Sequence, residues 1–231
     1  MNKFVLAFPV PVEQKEAFKI TEHVQVAPDA NTLMIPGCSV SFSVARTEPM
    51  EKLSDVFREH VDLSEDDAKK IDSHRSLFFL IGTLKNADDL RMVNSAVLKM
   101  FDAGAIGVYM QQSGTAWIAD SFREEIGNDS LPMDPWINFV ESEDVLYTLG
   151  LEVFGLPDLC ISRKAGSDDE LRDILGVVAD TLFVDGLSSK SGTEVDAGDF
   201  GKYTLRAEMS SPFAKDSPEY NKNGIMRLAK N

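Results

Sequence analysis

Leu77-Phe78-Phe79-Leu80-Ile81-Gly82-Thr83-Leu84, with Asn86-Ala87-Asp88-Asp89-Leu90 just behind it, decides the fold of this chain. The first eight residues are almost continuously apolar and of strand length, the pattern of a central strand buried on both faces. Asn86 is a helix cap, and Asp88 and Asp89 fall near the positive end of the helix that follows. Leu90, Val93, Val97 and Phe101 recur with the helical period and mark its apolar face. Gly104, free to take positive φ, stops it.

The same sentence is written a second time. Residues 159–162 read as a strand, and Ser167 with Glu170 forms a capping box, each side chain placed to bond the other's backbone N–H. Leu171, Ile174, Leu175, Val178 and Leu182 supply the buried stripe, and Gly186 ends it. Two strand–helix–glycine units of similar length predict repeated β-α-β units of ferredoxin-like kind. The predicted class is α+β: a mostly antiparallel or mixed sheet with helices packed on it, both stripes lying on one common β layer. Residues 1–231 are expected to form a single domain, with 1–30 contributing an amino-terminal strand and a loop.

Outward from these units the elements are shorter. Residues 3–12 read as a strand ending at Pro9 and Pro11. Residues 33–44 read as a strand region broken by Pro36-Gly37, with serines alternating against Val40, Phe42 and Val44. Thr47 is a cap and Pro49 a first-turn residue for a helix over Met50, Leu53, Phe57 and Val61. Ser64-Glu65-Asp66-Asp67 starts a short acidic helix. Residues 106–110 are a strand and 117–126 a short helix. Residues 136–140 and 145–154 are paired strands turning at Glu141-Ser142-Glu143-Asp144. A turn-rich stretch, 188–201, precedes strands at 203–209 and 225–228.

The chain has 231 residues, 43% hydrophobic and 26% charged, and a formal charge of −15. That composition excludes a disordered tail, a collagen-like fibre and a disulfide scaffold. A chain so acidic, without a Lys/Arg run, repels phosphate backbones and anionic membranes, so nucleic acid and membrane are not expected partners; a basic protein is. Nine of the acids crowd into residues 167–199 against Arg172 and Lys190. No stretch reaches the length of a membrane span, and the amino-terminal apolar run is too short for a signal peptide. Cys38 and Cys160 read as reduced core thiols of a cytoplasmic protein.

Catalytic and cofactor motifs are missing. His23, His60 and His74 are scattered, and no C-x-x-C or H-x-x-x-H occurs, so no metal is expected. Neither a phosphate loop nor a dinucleotide fingerprint is found, so no cofactor is expected. There is no nucleophile elbow: Ser113-Gly114 is a turn. His74, directly before the central strand, is the histidine that is a candidate general base. Trp117 and Trp136 are candidates for core or pocket walls.

Several short motifs, in order, resemble a known family. They are Leu33-Met34-Ile35-Pro36; His74 before an apolar strand; Gly107-Val108-Tyr109 with Ser113-Gly114; Leu131-Pro132 near Trp136; Tyr147-Thr148-Leu149-Gly150-Leu151 with Phe154-Gly155-Leu156-Pro157-Asp158; and Ser211-Pro212. Over residues 31–231 the chain resembles the bacterial family catalogued as domain of unknown function 4261. The family usually has Pro-Glu where this chain has Pro157-Asp158, and it is richer in Pro and Trp around Pro36. The resemblance implies a single cytoplasmic α+β domain and transfers no activity. Its signature has a structural meaning of its own: Gly150 permits close backbone approach, and Gly155-Leu156-Pro157 makes a turn that restarts the sheet.

The expected function is therefore non-catalytic binding of another protein, as an adaptor or immunity-like module. The alternative is an enzyme with a small-molecule pocket using His74 or a carboxylate as general base. The candidate binding residues are His74, Tyr109, Trp136, Tyr147 and Asp158, with no catalytic residue and no metal ligand assigned.

Overall fold

A computed structural model describes residues 3–127, 131–208, 211–217 and 219–231. In chain order the elements are β1 (Lys3–Val10), β2 (Phe18–Lys19), β3 (Gln25–Val26), β4 (Thr32–Met34), β5 (Ser41–Thr47), α1 (Leu53–Arg58), α2 (Glu65–Asp72), β6 (Ser76–Thr83), α3 (Ala87–Asp102), β7 (Gly107–Met110), β8 (Ala116–Ile118), α4 (Ala119–Gly127), β9 (Asn138–Glu141), β10 (Val145–Leu149), β11 (Asp158–Ser162), α5 (Asp168–Val184), β12 (Glu194–Asp196), β13 (Lys202–Ala207) and β14 (Ile225–Lys230). The class is α+β, with helices packed on antiparallel and mixed sheets.

The strands form two six-stranded sheets rather than one layer, and a two-residue hairpin, β2–β3, stands apart. The first sheet runs β4-β5-β6-β1-β7-β8 and is antiparallel throughout. The second runs β12-β13-β14-β11-β10-β9, and its one parallel pair is β11 with β14. The expectation of a common β layer is corrected here. Helix α3 lies against the first sheet, where Phe101 meets Phe8 edge-on at 6.5 Å, and α5 lies against β10, β11 and β12 of the second. The strand–helix units do recur, but they close differently. β6-α3-β7 straddles β1, a split β-α-β unit, whereas β11-α5 leads through the hairpin β12–β13 to a parallel neighbour.

Both long helices form for the reasons visible in their sequences. Asn86 Oδ1 accepts the Asp89 N–H at 2.9 Å, and Ser167 Oγ accepts the Glu170 N–H at 3.4 Å. The stripes Leu90, Val93, Val97 and Leu171, Leu175, Val178 are fully buried. Gly104 and Gly186 have φ of 98° and 66° just past the helix ends.

Other boundaries shift. β5 continues to Thr47, paired with Leu77, so Thr47 is strand rather than cap; α1 starts only at Leu53, after Lys52 at φ 55°. Residues 116–118 are strand before α4 begins. The strand expected over 145–154 ends at Leu149, and residues 151–154 make a 3₁₀ turn. Gly150 is the reason. Its φ is 104°, and a Cβ there would lie 2.5 Å from the Trp136 carbonyl oxygen and 2.6 Å from the Ser113 Cβ. Gly155, at φ 75°, then returns the chain to β11. Met209, the end of one expected strand, lies outside the described residues.

One buried apolar cluster joins the two sheets. Trp136 is its bridge: the indole meets Phe4 of β1 at 5.5 Å and Phe154 at 6.2 Å, and Phe154 meets Phe183 of α5 at 4.8 Å. A smaller cluster under α1 and α2 includes Leu77 and Ala116, so the first sheet also takes these two short helices into its packing. Cys38 and Cys160 are buried and unpaired; burial pushes the Cys160 thiol up to about 12.

Candidate cleft at the open edge of the second sheet

An open cleft of about 750 Å³ lies where β8, at one end of the first sheet, approaches β9, at one end of the second. Three hydrogen bonds fix that approach. Trp117 Nε1 and Thr115 Oγ1 both donate to the Pro135 carbonyl, at 2.9 and 3.1 Å. Asn138 Nδ2 donates to the Ser113 carbonyl at 3.1 Å. The turn at 134–136 is thereby tied to β8, and β9 starts where Asn138 reaches the β7–β8 turn. Asp134 opens that turn, with Oδ2 accepting the Leu131 N–H at 2.9 Å. Gly176 of α5 stands beside Asp134, where an added Cβ would make an ordinary contact with Oδ1.

The cleft is acidic. Glu59 and His60 reach it from the end of α1, Glu125 from α4, Asp134 from the turn, and Arg172 and Asp173 from α5; Trp117, Phe139, Val177 and Phe200 add apolar wall. Burial pushes the Asp134 carboxyl up to about 6, and the charges of Glu125, Asp180 and Asp173 add to it against the Leu131 amide. Burial also raises Glu125, with Glu124 adding to it. Burial lowers His60, with the charge of Glu59 acting the other way. Arg172, the single guanidinium in the wall among the described residues, is engaged by Glu141 at 2.7 Å and Asp169 at 3.7 Å. The carboxylates of the cleft therefore outnumber its cations, and the one cation is already shared.

A second hollow, of about 370 Å³, adjoins it and shares Glu59, His60 and Asn138. Its wall is Val56, Tyr109, Val140, Leu149 and Phe213, with Gln111, Gln112 and Glu219 at the polar side. Tyr109 is raised by burial and by the charges of Glu59 and Glu219.

Of the five candidate binding residues, only Tyr109 lines either concavity. His74 is 4% exposed; Nε2 accepts the Met50 N–H at 3.0 Å, so Nδ1 carries the proton and donates to the Ile71 carbonyl at 2.7 Å. Trp136 is sealed in the core, its Nε1 donating to Asn94 Oδ1 at 2.8 Å. Tyr147 is half-buried on β10 and meets Phe213 edge-on at 6.3 Å, a neighbour of the hollow without lining it. Asp158 is 3% exposed beneath Leu151, whose N–H it accepts at 3.2 Å. The structure does not bring these five together. It gathers Glu59, His60, Glu125, Asp134, Asn138 and Asp173 instead, none of which was a candidate binding residue from the sequence. No spacing links them, because they come from five separate segments. The excess of acids over bases was the sole hint.

Among the described residues no group of three or more His, Cys, Asp or Glu is placed to hold a metal ion, and no helix is long and apolar enough to cross a membrane. Compared with known proteins, the chain matches no family model, no curated protein and no solved structure.

Proposed function

We propose that this chain is a non-catalytic binding module, adaptor or immunity-like, whose partner is a basic protein and whose acceptor surface is the acidic cleft. The observation that carries the reading is the imbalance inside the cleft. Glu59, Glu125, Asp134 and Asp173 face a concavity whose only guanidinium among the described residues is held by Glu141 and Asp169. A lysine or arginine from outside supplies the missing charge in partly desolvated surroundings, where an ion pair counts for more than at an open surface. The formal charge of −15 steers such a partner in and repels nucleic acid. Two buried, unpaired thiols fit a reducing, cytoplasmic setting. Membership of the uncharacterised bacterial family named above belongs to the same proposal, resting on the sequence motifs alone.

The test is the binding of a fluorescent penta-lysine peptide, followed by anisotropy at low and at physiological ionic strength. The expected result is binding that salt weakens and that Asp134→Asn with Asp173→Asn reduces by about tenfold, the effect of losing one or two charge-assisted contacts. Removing two exposed acids outside the cleft, Glu22→Gln with Asp29→Asn, is the control. Equal effects of the two pairs would reduce the cleft to general surface charge and overturn the reading.

A second reading, an enzyme using a carboxylate base, has Asp134 in its favour, a carboxyl held at about 6 in an open cleft. His74 has no such support, because both ring nitrogens serve the backbone. Turnover of any small substrate that disappears in Asp134→Asn, with penta-lysine neither binding nor competing, would favour the enzyme.

A further inference from the structure

Strand β9 separates the two concavities. Side chains alternate along a strand, and Phe139 opens into the acidic cleft while Val140 opens into the apolar part of the second hollow, with Tyr109, Leu149 and Phe213, on the opposite face. Asn138, where the strand begins, borders both. One long side of β9 is paired with β10; the other carries no paired strand among the described residues, since β9 ends its sheet. The register says which groups that open side presents. Ser142 N–H donates to the Val145 carbonyl at 2.9 Å, closing the hairpin. Stepping back by twos, Val140 and Asn138 turn their amides and carbonyls to β10, and Phe139 and Glu141 turn theirs outward.

Edge strands are commonly blunted by charge, and β12, at the far end of the same sheet, carries Glu194 and Asp196. β9 has Phe139 and Val140 at its centre and a concavity on each face. We propose that β9 takes up an extended segment of the partner as an added strand, with a basic residue opposite Phe139 and apolar residues on either side of it. The residue opposite Phe139 exchanges two backbone hydrogen bonds with it and sends its side chain into the cleft that holds Asp134, Glu125 and Asp173. Its neighbours, by alternation, send theirs toward Val140, Tyr109 and Phe213. A second copy of this chain is disfavoured as the occupant, because two bodies of charge −15 repel. The proposal rests on the reading of the cleft as a site for a basic protein and adds the geometry of capture.

The probe is acetyl-Val-Lys-Val-Lys-Val-amide carrying a fluorophore. It is compared with a peptide of the same composition in block order and with a copy N-methylated at both lysines, all titrated into the intact chain at low salt. The alternating peptide is expected to bind at least about tenfold more tightly than either, the worth of the ordered backbone bonds. Phe139→Pro removes the outward N–H while the bonds to β10 run through Asn138 and Val140; it is expected to lose the same factor with an unchanged far-UV spectrum. If that variant misfolds, the N-methylated peptide still decides. N-methylated and block-order peptides binding as well as the alternating one would overturn strand addition and leave the cationic cleft standing. No binding by any of the peptides or by penta-lysine would overturn both. Self-association of the chain by sedimentation, abolished by Phe139→Pro, would assign the edge to a second copy and overturn the partner proposed here.

Discussion

Asp158 is a carboxyl sealed beneath its own turn. Oδ1 accepts the Leu151 N–H, and burial pushes the group up to about 7, with Glu152 adding to it while Asn221, the Leu151 amide and Thr148 work the other way. Asp134 and Asp180 are likewise raised by burial to about 6. Glu125 of α4 and Asp173 and Asp180 of α5 face Asp134; Asp185 and Arg91 act on Asp180. In the unfolded chain such carboxyls titrate near 4. The folded state therefore binds protons more tightly between about pH 4 and pH 7. The stability these groups contribute is complete below their unfolded value and is lost as pH rises through about 6 to 7. Thermal melts followed by circular dichroism are expected to show a midpoint that falls from about pH 5 to about pH 8. Asp158→Asn keeps the oxygen that accepts from Leu151 and removes the titration, so it should flatten the upper part of that profile. An unchanged profile in this variant would mean that another group is responsible.

At the scale of elements, α5 is the clearest test of packing. Leu175 is fully buried in the cluster that α5 shares with the second sheet. Leu175→Ala should cost about 2–5 kcal/mol, measured by urea denaturation, through lost transfer energy and the cavity left behind. A loss below about 0.5 kcal/mol, the range of ordinary surface changes, would mean the buried face is wrongly assigned. Elements such as α3 and α5 were legible because cap, stripe and stop all agree within one short window. α1 was not, because Thr47 and Pro49 make a plausible local start that pairing of β5 with β6 overrides. The break at Gly150 was invisible for a related reason: two apolar runs read as one strand, and only the approach of Trp136 and Ser113 shows where it must end. That both strands and helices belong to two sheets rather than one depends on partners far apart in the chain, which periodicity does not report. The cleft was the least legible feature. Its residues are brought together by the meeting of two sheet edges and carry no spacing of their own.

For the whole molecule, the question is whether two sheets make one cooperative unit. Their shared cluster, bridged by Trp136 between Phe4 and Phe154, argues that they do. Unfolding followed by tryptophan fluorescence and by far-UV circular dichroism is expected to give coincident midpoints. Trp136→Ala should lower the unfolding free energy read by both probes by about 3–5 kcal/mol, since it empties the bridge and strips Asn94 of its indole donor. Separate midpoints in the native chain would show two units. The parallel pair β11–β14 carries one more consequence. Asp158 stands beside Ile225, so β11 waits for a neighbour that lies far downstream and is itself flanked by β13 on its other side. On a translating ribosome, β9, β10 and β11 emerge as a hairpin array whose β11 edge is open, with Val145 and Cys160 on the face that Ile225 covers, until residues 225–230 clear the exit tunnel. Synthesis that stalls before that point leaves a sticky half-sheet, the kind of nascent species that chaperones exist to shield.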